Sequence, residues 1–135
     1  WYRYLIEVLG LAPYECTPPL LLSEGEKRRV AMATALMRRP RWGVLLDEPA
    51  LGQDSHHKAI LVGVVRQLAA AGQLVIMTTH DLTLASQADR MLLLSSDGLV
   101  ADGPPSAVLQ DSHAWHRLGL VVPPWLLTEE QKADR

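Results

Sequence analysis

Segment 44–49, with the sequence Val-Leu-Leu-Asp-Glu-Pro, constrains the fold of this chain more than any other stretch. A short apolar run between Gly43 and Pro49 predicts a β-strand that is buried on both faces, as in a parallel sheet. Asp47 and Glu48 then lie at the carboxyl end of this strand, where open α/β sheets place their ligands. Unpaired carboxylates in that position suit Mg²⁺, which keeps several waters and takes one or two carboxylates alongside substrate phosphates. The segment therefore predicts a magnesium site, with a strand that simply ends in solvated acids as the alternative.

The rest of the chain alternates helical patterns with short apolar runs. Residues 11–21 contain three prolines and are predicted to form a loop. The helical patterns cover 1–10, 23–40, 55–72, 82–88 and 106–118. Further strands are predicted at 74–77, 91–94 and 99–101, the last two joined by a hairpin turn at Asp97-Gly98. Strands that alternate with helices predict an α/β fold with a mostly parallel sheet, flanking helices and a C-terminal hairpin.

Two serines are predicted to begin helices. Ser23 begins the second helix, and Glu26 three residues later completes a Ser-x-x-Glu capping box. Ser55 is the predicted cap of the third helix, and Gly72 lies where the glycine that follows a helix belongs. Residues 30–37 of the second helix are apolar nearly all round, so we expect this helix to be buried past its first turn.

Composition excludes several classes of protein. Cys16 is the only cysteine, which rules out an internal disulfide and a cysteine-based metal cluster. With 13 basic and 15 acidic residues, the chain has no excess of positive charge for binding a polyanion. No apolar run approaches the roughly 18 residues that span a bilayer. The chain opens on Trp1, inside a helical pattern and without Met, and we therefore expect it to be a fragment.

Four stretches, taken in order, resemble the C-terminal half of the nucleotide-binding domain of ATP-binding cassette (ABC) transporter ATPases. Segment 22–26 (Leu-Ser-Glu-Gly-Glu) resembles the signature motif, usually written LSGGQ. Segment 45–49 resembles the Walker B strand with its catalytic glutamate, and 79–81 (Thr-His-Asp) resembles the switch histidine. Segment 52–54 falls where the D-loop belongs, with Gln53 where leucine is usual. The resemblance covers about residues 1–120 and leaves 121–135 as a loosely ordered C-terminal tail.

The resemblance implies a catalytic role for the acids and the histidine. It implies that Asp47 holds Mg²⁺, usually through water, and that Glu48 polarises the attacking water. His80 would contact the γ-phosphate of ATP. These roles agree with the chemistry, because phosphoryl transfer needs positioning and charge neutralisation more than covalent help.

The resemblance also implies a site shared between two cassettes. Ser23 and Gly25 would bind the nucleotide held by the opposite protomer, and Asp54 would pass information across the dimer interface. A helix start suits this role, because its free backbone amides and positive dipole end attract anions. Two acidic residues depart from the usual signature. Glu26 can turn back as the capping partner, whereas Glu24 has no such role and would place a charge near the phosphate.

The sequence contains no phosphate-binding loop. Such a loop needs a Gly-Lys pair followed by Ser or Thr. None of the three lysines (Lys27, Lys58 and Lys132) is preceded by glycine. We therefore expect a partial P-loop NTPase domain from which the Walker A strand is absent. By resemblance, that strand lies between the strands at 43–47 and 73–78. Its absence should separate these two strands or leave apolar edges open.

Taken as a whole, the resemblance predicts the ATP-hydrolysing subunit of an ABC-type membrane importer, present here as an incomplete cassette. The hairpin at 97–103, followed by Pro104-Pro105, resembles importers of the energy-coupling-factor type. The implied cofactors are ATP and Mg²⁺. The implied partners are transmembrane permease subunits, a second cassette in a homo- or heterodimer, and the missing N-terminal half, at the inner face of the cell membrane. The alternatives are a non-catalytic remnant or split-chain partner, and a non-transport ABC ATPase that acts on nucleic acid, which the absence of a basic stripe disfavours.

The absence of a glycine-rich loop and its lysine generates a first prediction. The chain alone should neither bind ATP-Mg²⁺ tightly nor hydrolyse it, because the triphosphate is held mainly by that loop. The two acids repel phosphate without Mg²⁺, and the resemblance implies that the signature belongs to a partner's nucleotide. Calorimetry on the purified, folded chain measures this directly. Adding the N-terminal half of a cassette as a separate polypeptide should restore nucleotide binding. Micromolar ATP affinity in the chain alone would contradict the prediction.

Overall fold

The computed structural model describes residues 1–38 and 40–121. They form two compact units, the first ending at His80 and the second beginning at Asp81. Apart from Val121, the predicted tail at 121–135 lies outside the described residues. The first unit contains α1 (Tyr2–Val8), α2 (Glu24–Met37), β1 (Gly43–Asp47), α3 (Ser55–Ala70) and β2 (Leu74–Thr78). The second contains α4 (Leu82–Ala85), β3 (Met91–Ser95), β4 (Gly98–Gly103), α5 (Pro105–Gln110) and α6 (Ser112–Arg117).

Strands β1 and β2 pair directly with each other and run parallel. The register joins Gly43 to Leu74 at one end and Asp47 to Thr78 at the other, without a gap. The first of the two alternatives, that the absence of the Walker A strand separates these strands, is therefore wrong. Because both strands end at the same edge, the acids at the end of β1 lie beside the polar residues at the end of β2.

This two-stranded sheet is buried on one face only. Leu46 is buried, and α2 contacts β1 while α3 contacts β2. On the other face Leu45 is 69% exposed, Leu74 is 63% exposed and Ile76 is 49% exposed. The prediction of burial on both faces is wrong, because no element of the described unit packs on this second face. An apolar surface is thus exposed on a face of the sheet.

The second helix is also buried along one stripe and not all round. Met32, Ala33 and Leu36 are buried, whereas Met37 is 39% exposed. The prediction of burial past the first turn is wrong because α2 packs on β1 and α1 with one face and leaves the other uncovered. The core of the first unit is aliphatic and includes Leu5, Leu9, Leu36, Leu46, Leu61, Val64 and Leu68.

Helix starts and loops differ from the prediction at two places in the first unit. The third helix is capped by Asp54, whose carboxylate accepts the backbone N–H of His57, so Ser55 is its first residue and not its cap. The segment 11–21 contains two short 3-10 turns, Ala12–Tyr14 and Pro19–Leu21, where we predicted only loop. The capping box at Ser23 is confirmed. Asp and Ser are both good caps, so composition alone could not choose between neighbours.

The second unit is built on the predicted hairpin. Strands β3 and β4 pair antiparallel across the turn before Gly98, with a register shift at Leu93/Leu94. The hairpin packs on α5 and α6 around a core that includes Met91, Leu93, Val108, Leu109 and Trp115. The single helix predicted at 106–118 is interrupted at Asp111, whose carboxylate caps α6 by accepting the N–H of Ala114. The α/β class and the C-terminal hairpin are confirmed, with the parallel pair and the hairpin forming two separate sheets.

Within residues 1–38 and 40–121, no helix combines the length and the apolar character that a membrane span requires.

The close approach of β1 to β2 at Gly43 generates a second prediction. A Cβ atom at this position would lie 2.1 Å from the carbonyl oxygen of Leu74, which is rigid backbone. Gly43→Ala should therefore lower the free energy of unfolding by about 2 kcal/mol or more, since overpacking forces the backbone to shift. Urea unfolding monitored by circular dichroism measures the loss.

Gly63→Ala is the matched control, because Gly63 lies inside α3 and a Cβ there meets nothing within 4 Å. This variant should stabilise the chain by about 0.5–1 kcal/mol through helix propensity. Equal effects of the two substitutions would argue against the tight pairing of β1 and β2.

Candidate functional site

The carboxyl edge of the parallel sheet brings together three of the predicted site residues. Asp47 is the last residue of β1 and pairs with Thr78, the last residue of β2. Just beyond the strands, the Nε2 atom of His80 lies 3.4 Å from the Oε1 atom of Glu48. The predicted parallel arrangement is confirmed for β1 and β2, and it places Glu48 and His80 at one edge of the sheet.

Thr78 organises the acids at this edge, and sequence reasoning assigned it no role. Its hydroxyl donates to the carboxylate of Asp47 and accepts the backbone N–H of Glu48 at 3.1 Å. The same N–H lies 3.2 Å from the carbonyl oxygen of Thr78. The available signal was a hydroxyl residue at the end of the second buried strand, but its partners lie 30 and 31 positions away in the sequence.

The backbone at Glu48 adopts a left-handed conformation. Its φ is 43°, a region that residues other than glycine rarely occupy and that costs of order 1–3 kcal/mol. Two groups hold it there: Thr78 binds its N–H, and the guanidinium of Arg28 donates to its carbonyl oxygen at 3.3 Å. The Glu48 side chain is 22% exposed, whereas that of His80 is 98% exposed. The structure thus holds Glu48 firmly and leaves the His80 ring open to solvent.

The start of α2 is ordered by the capping box. The N–H of Ser23 donates to Glu26 at 2.7 Å, and the N–H of Glu26 donates to the Ser23 hydroxyl at 3.3 Å. Helix geometry leaves the N–H groups of Glu24 and Gly25 without an intrahelical acceptor. This arrangement presents two amides and the positive end of the helix dipole, which together favour an anion.

Both acidic residues of this turn have partners within the chain. The Tyr14 hydroxyl donates to Glu26, and this bond together with those from Ser23 lowers the pKa of the Glu26 carboxyl. Glu24 lies 2.8 Å from Lys27, which lowers its pKa through a hydrogen bond and its charge. Glu24 takes no part in the capping box, as expected, but it pairs with Lys27, which lies one helical turn further along the same face.

Asp54 lies at the end of the loop that leaves β1. Its Oδ1 atom accepts the backbone N–H of His57 at 2.9 Å and lies 2.9 Å from the His57 ring. These hydrogen bonds lower the pKa of the Asp54 carboxyl. Its side chain remains 64% exposed, so its capping role leaves it accessible to a second molecule.

Gln53 joins this loop to the start of α2. Its amide nitrogen donates to the carbonyl oxygen of Gly25 at 2.9 Å, and its amide oxygen accepts from Arg29 at 3.1 Å. The sequence marked Gln53 only as a departure from a motif, because its two partners lie 28 and 24 positions away. The predicted residues Ser23, Gly25 and Asp54 are thus linked through a residue that was not predicted.

The acids at the sheet edge can supply only a minority of the ligands of a magnesium ion. In the described ranges, no group of three or more His, Cys, Asp or Glu side chains is arranged to hold a metal. Mg²⁺ needs only one or two carboxylates when waters and phosphate oxygens complete its coordination. The exposed carboxylate of Asp47, oriented by Thr78, meets that requirement, and the remaining ligands have to come from a bound phosphate and water.

Comparisons with known proteins identify relatives in one group. No protein-family model matches the chain. EcfA of Methanothermobacter thermautotrophicus, an energy-coupling factor transporter ATP-binding protein, is 34% identical over 87% of this chain and 38% of its own length. YkoD of Bacillus subtilis, a proposed HMP/thiamine import ATP-binding protein, is 34% identical over 98% of this chain and 25% of its own length.

Solved structures with a similar fold include cbiO1 of Clostridium perfringens, part of the ABC transporter complex cbiONQ. It superimposes with a TM-score of 0.64 and 24% identity, over 93% of this chain and 50% of that chain. MJ1267, an ATP-binding cassette of an ABC transporter, gives a TM-score of 0.68 with 23% identity over 84% of this chain and 46% of that chain. These two similarities concern the fold. The chain spans half or less of the length of the relatives it matches.

The environment of Glu26 generates a third prediction, on pH dependence. Hydrogen bonds from Tyr14 and Ser23 hold the pKa of Glu26 below its ordinary value of 4.5. A carboxyl whose pKa falls on folding contributes stability that is fully present above the unfolded value and is lost as pH falls through the folded value. Glu26→Gln keeps a capping side chain but removes the titration, so the stability difference between wild type and variant should shrink as pH falls below 4.5.

Urea midpoints at a series of pH values between about 7 and 3 measure this difference. Tyr14→Phe, which removes the largest contribution to the shift, should weaken the pH dependence while leaving Glu26 in place. A difference that stays constant over the whole range would show that the Glu26 carboxylate is not stabilised by these bonds.

Proposed function

This chain is a homologue of ABC transporter ATP-binding proteins and has their ATPase fold, and we propose that it supplies one part of an ATP-hydrolysing site in a membrane importer. The observation that carries the proposal is the 3.4 Å approach of His80 to Glu48 at the carboxyl edge of a parallel strand pair. Groups placed at that edge can meet a phosphate and its attacking water together. Catalysis of phosphoryl transfer consists mainly of such positioning.

Each group at the edge has a distinct task in this proposal. Glu48, held by its backbone hydrogen bonds, orients the attacking water and accepts its proton. The exposed ring of His80 reaches the γ-phosphate, and Asp47 contributes to magnesium binding, usually through water. When bound, Mg²⁺ neutralises charge on the phosphates. Thr78 fixes the two acids relative to each other through its hydroxyl.

The start of α2 serves a second nucleotide in the proposed assembly. The amides of Glu24 and Gly25 and the hydroxyl of Ser23 bind the nucleotide held by a second cassette. Glu24 and Glu26 are compatible with this role, since each is paired with a group of its own unit. Asp54, exposed at the start of α3, faces the second cassette and links the two nucleotide sites.

The importer assignment draws on the relatives and on the hairpin. The names of the similar proteins describe an energy-coupling factor transporter and an HMP/thiamine import protein. In the proposed assembly the chain works with transmembrane permease subunits and a second ATPase cassette, at the inner face of the cell membrane. The phosphate-binding loop comes from polypeptide outside these 135 residues. We call the chain together with that polypeptide the assembled ATPase.

Glu48→Gln generates a fourth prediction, tested on the assembled ATPase. The substitution keeps the shape of the side chain and removes the carboxylate that orients water. Hydrolysis should fall by about 10²–10⁴-fold, the typical contribution of general base catalysis. ATP binding should survive. Phosphate release measures the first effect and equilibrium binding of ATP measures the second.

Glu7→Gln provides the matched control, because Glu7 is an exposed carboxylate on α1 that takes no part in the site. It should leave both hydrolysis and binding unchanged. Wild-type turnover in the Glu48→Gln protein would remove Glu48 from the proposed catalytic role.

A further inference from the structure

The side chain of Gln53 forms a bridge between two segments that are distant in sequence. Its Nε2 atom donates to the Gly25 carbonyl at 2.9 Å, and its Oε1 atom accepts from the Arg29 guanidinium at 3.1 Å. Gly25 and Arg29 are four residues apart, so they lie one above the other on the same face of α2. One amide therefore clamps the first turn of this helix and the turn that follows.

The bridge is partly buried. Arg28, Arg29, Gln53 and His57 line a cavity of about 10 Å³ beneath the loop. The Nε atom of Arg29 is buried and has no hydrogen-bond partner among the described residues. A hydrogen bond in such a setting is electrostatically stronger than one in water, and losing either partner leaves a partly buried polar group unsatisfied.

The loop and the helix start also pack closely. A Cβ atom on Gly25 would lie 3.3 Å from the carbonyl oxygen of Gly52 and 3.5 Å from the Gln53 amide nitrogen. Arg28 ties the same helix to the other end of the loop through the carbonyl oxygen of Glu48. Both ends of the loop 48–54 are thus attached to helix α2. Gln53 makes the attachment at the end that carries Asp54.

We propose that Gln53 is a positioning residue for ATP hydrolysis, which holds the start of α2 and the Asp54 end of the loop in one fixed arrangement. The proposal rests on the proposed function of Ser23, Gly25 and Asp54. Two groups that must engage a second cassette together are most effective when they do not move independently, because misplacement by about 1 Å can cost up to about 10²-fold in rate. Gln53 itself contacts no nucleotide in this account.

The bridge requires a side chain that donates and accepts at the same time. Glutamine does both through one planar amide. Glutamate at this position could still accept from Arg29 but would turn an acceptor towards the Gly25 carbonyl. Gln53→Glu therefore breaks one arm of the bridge while it preserves the size of the side chain and the contact with Arg29.

Gln53→Glu should lower kcat of the assembled ATPase by about 10-fold while KM for ATP changes by less than about 3-fold. In the isolated chain, amide hydrogen exchange at Glu26 and Lys27 should become faster, since the first turn of α2 loses its attachment. Gln67→Glu is the matched control: Gln67 accepts a hydrogen bond from the Tyr4 hydroxyl, which a glutamate also accepts. This control should change neither quantity.

The two measurements separate this inference from the function on which it rests. Faster exchange with unchanged kcat would overturn the positioning role, and unchanged exchange would overturn the bridge itself. If the wild-type assembly hydrolyses no ATP, the proposed function fails, while the exchange measurement still decides whether Gln53 attaches α2 to the loop. Slower turnover together with faster exchange, both absent from Gln67→Glu, supports the proposal.

Discussion

The direct parallel pairing of β1 with β2 is the interaction on which the rest of the first unit depends. Because the strands are in register to their last residues, Asp47 meets Thr78, and the residues that follow each strand emerge at one edge. The Thr78 hydroxyl then joins the Asp47 carboxylate to the backbone N–H of Glu48, and the left-handed backbone of Glu48 is stabilised by bonds across the same edge. A shift of register by one residue would move these side chains to opposite faces and remove the site.

The loop between β1 and α3 connects this edge to the start of α2. Its first residue, Glu48, is bound by Arg28, and Gln53 near its end holds Gly25. Asp54 closes the loop by capping α3, so the loop has little freedom at either end. This explains how a short segment can maintain a defined shape: hydrogen bonds to an adjacent helix add to the close packing of Gly52 against Gly25 and to the burial of Ala50.

Local ion pairs and hydrogen bonds hold the acidic side chains at the start of α2, so that its backbone amides can bind an anion. Glu24 is paired with Lys27, and Glu26 is bound by Ser23 and Tyr14. Both carboxylates remain accessible to solvent, so their negative charge is screened as well as paired. The amides at the helix start can therefore attract a phosphate even though two acids stand where the usual motif has glycine and glutamine.

Sequence alone determined the features that depend on near neighbours. The capping box at Ser23, the turn before Gly98 and the polar ends of both parallel strands follow from residues within a few positions of each other. Tertiary structure decided the direct strand pairing, the exposure of Leu45 and its neighbours on one face, and the role of Gln53. These depend on partners that lie about 30 positions apart or on which elements cover a surface, and no local pattern encodes such contacts.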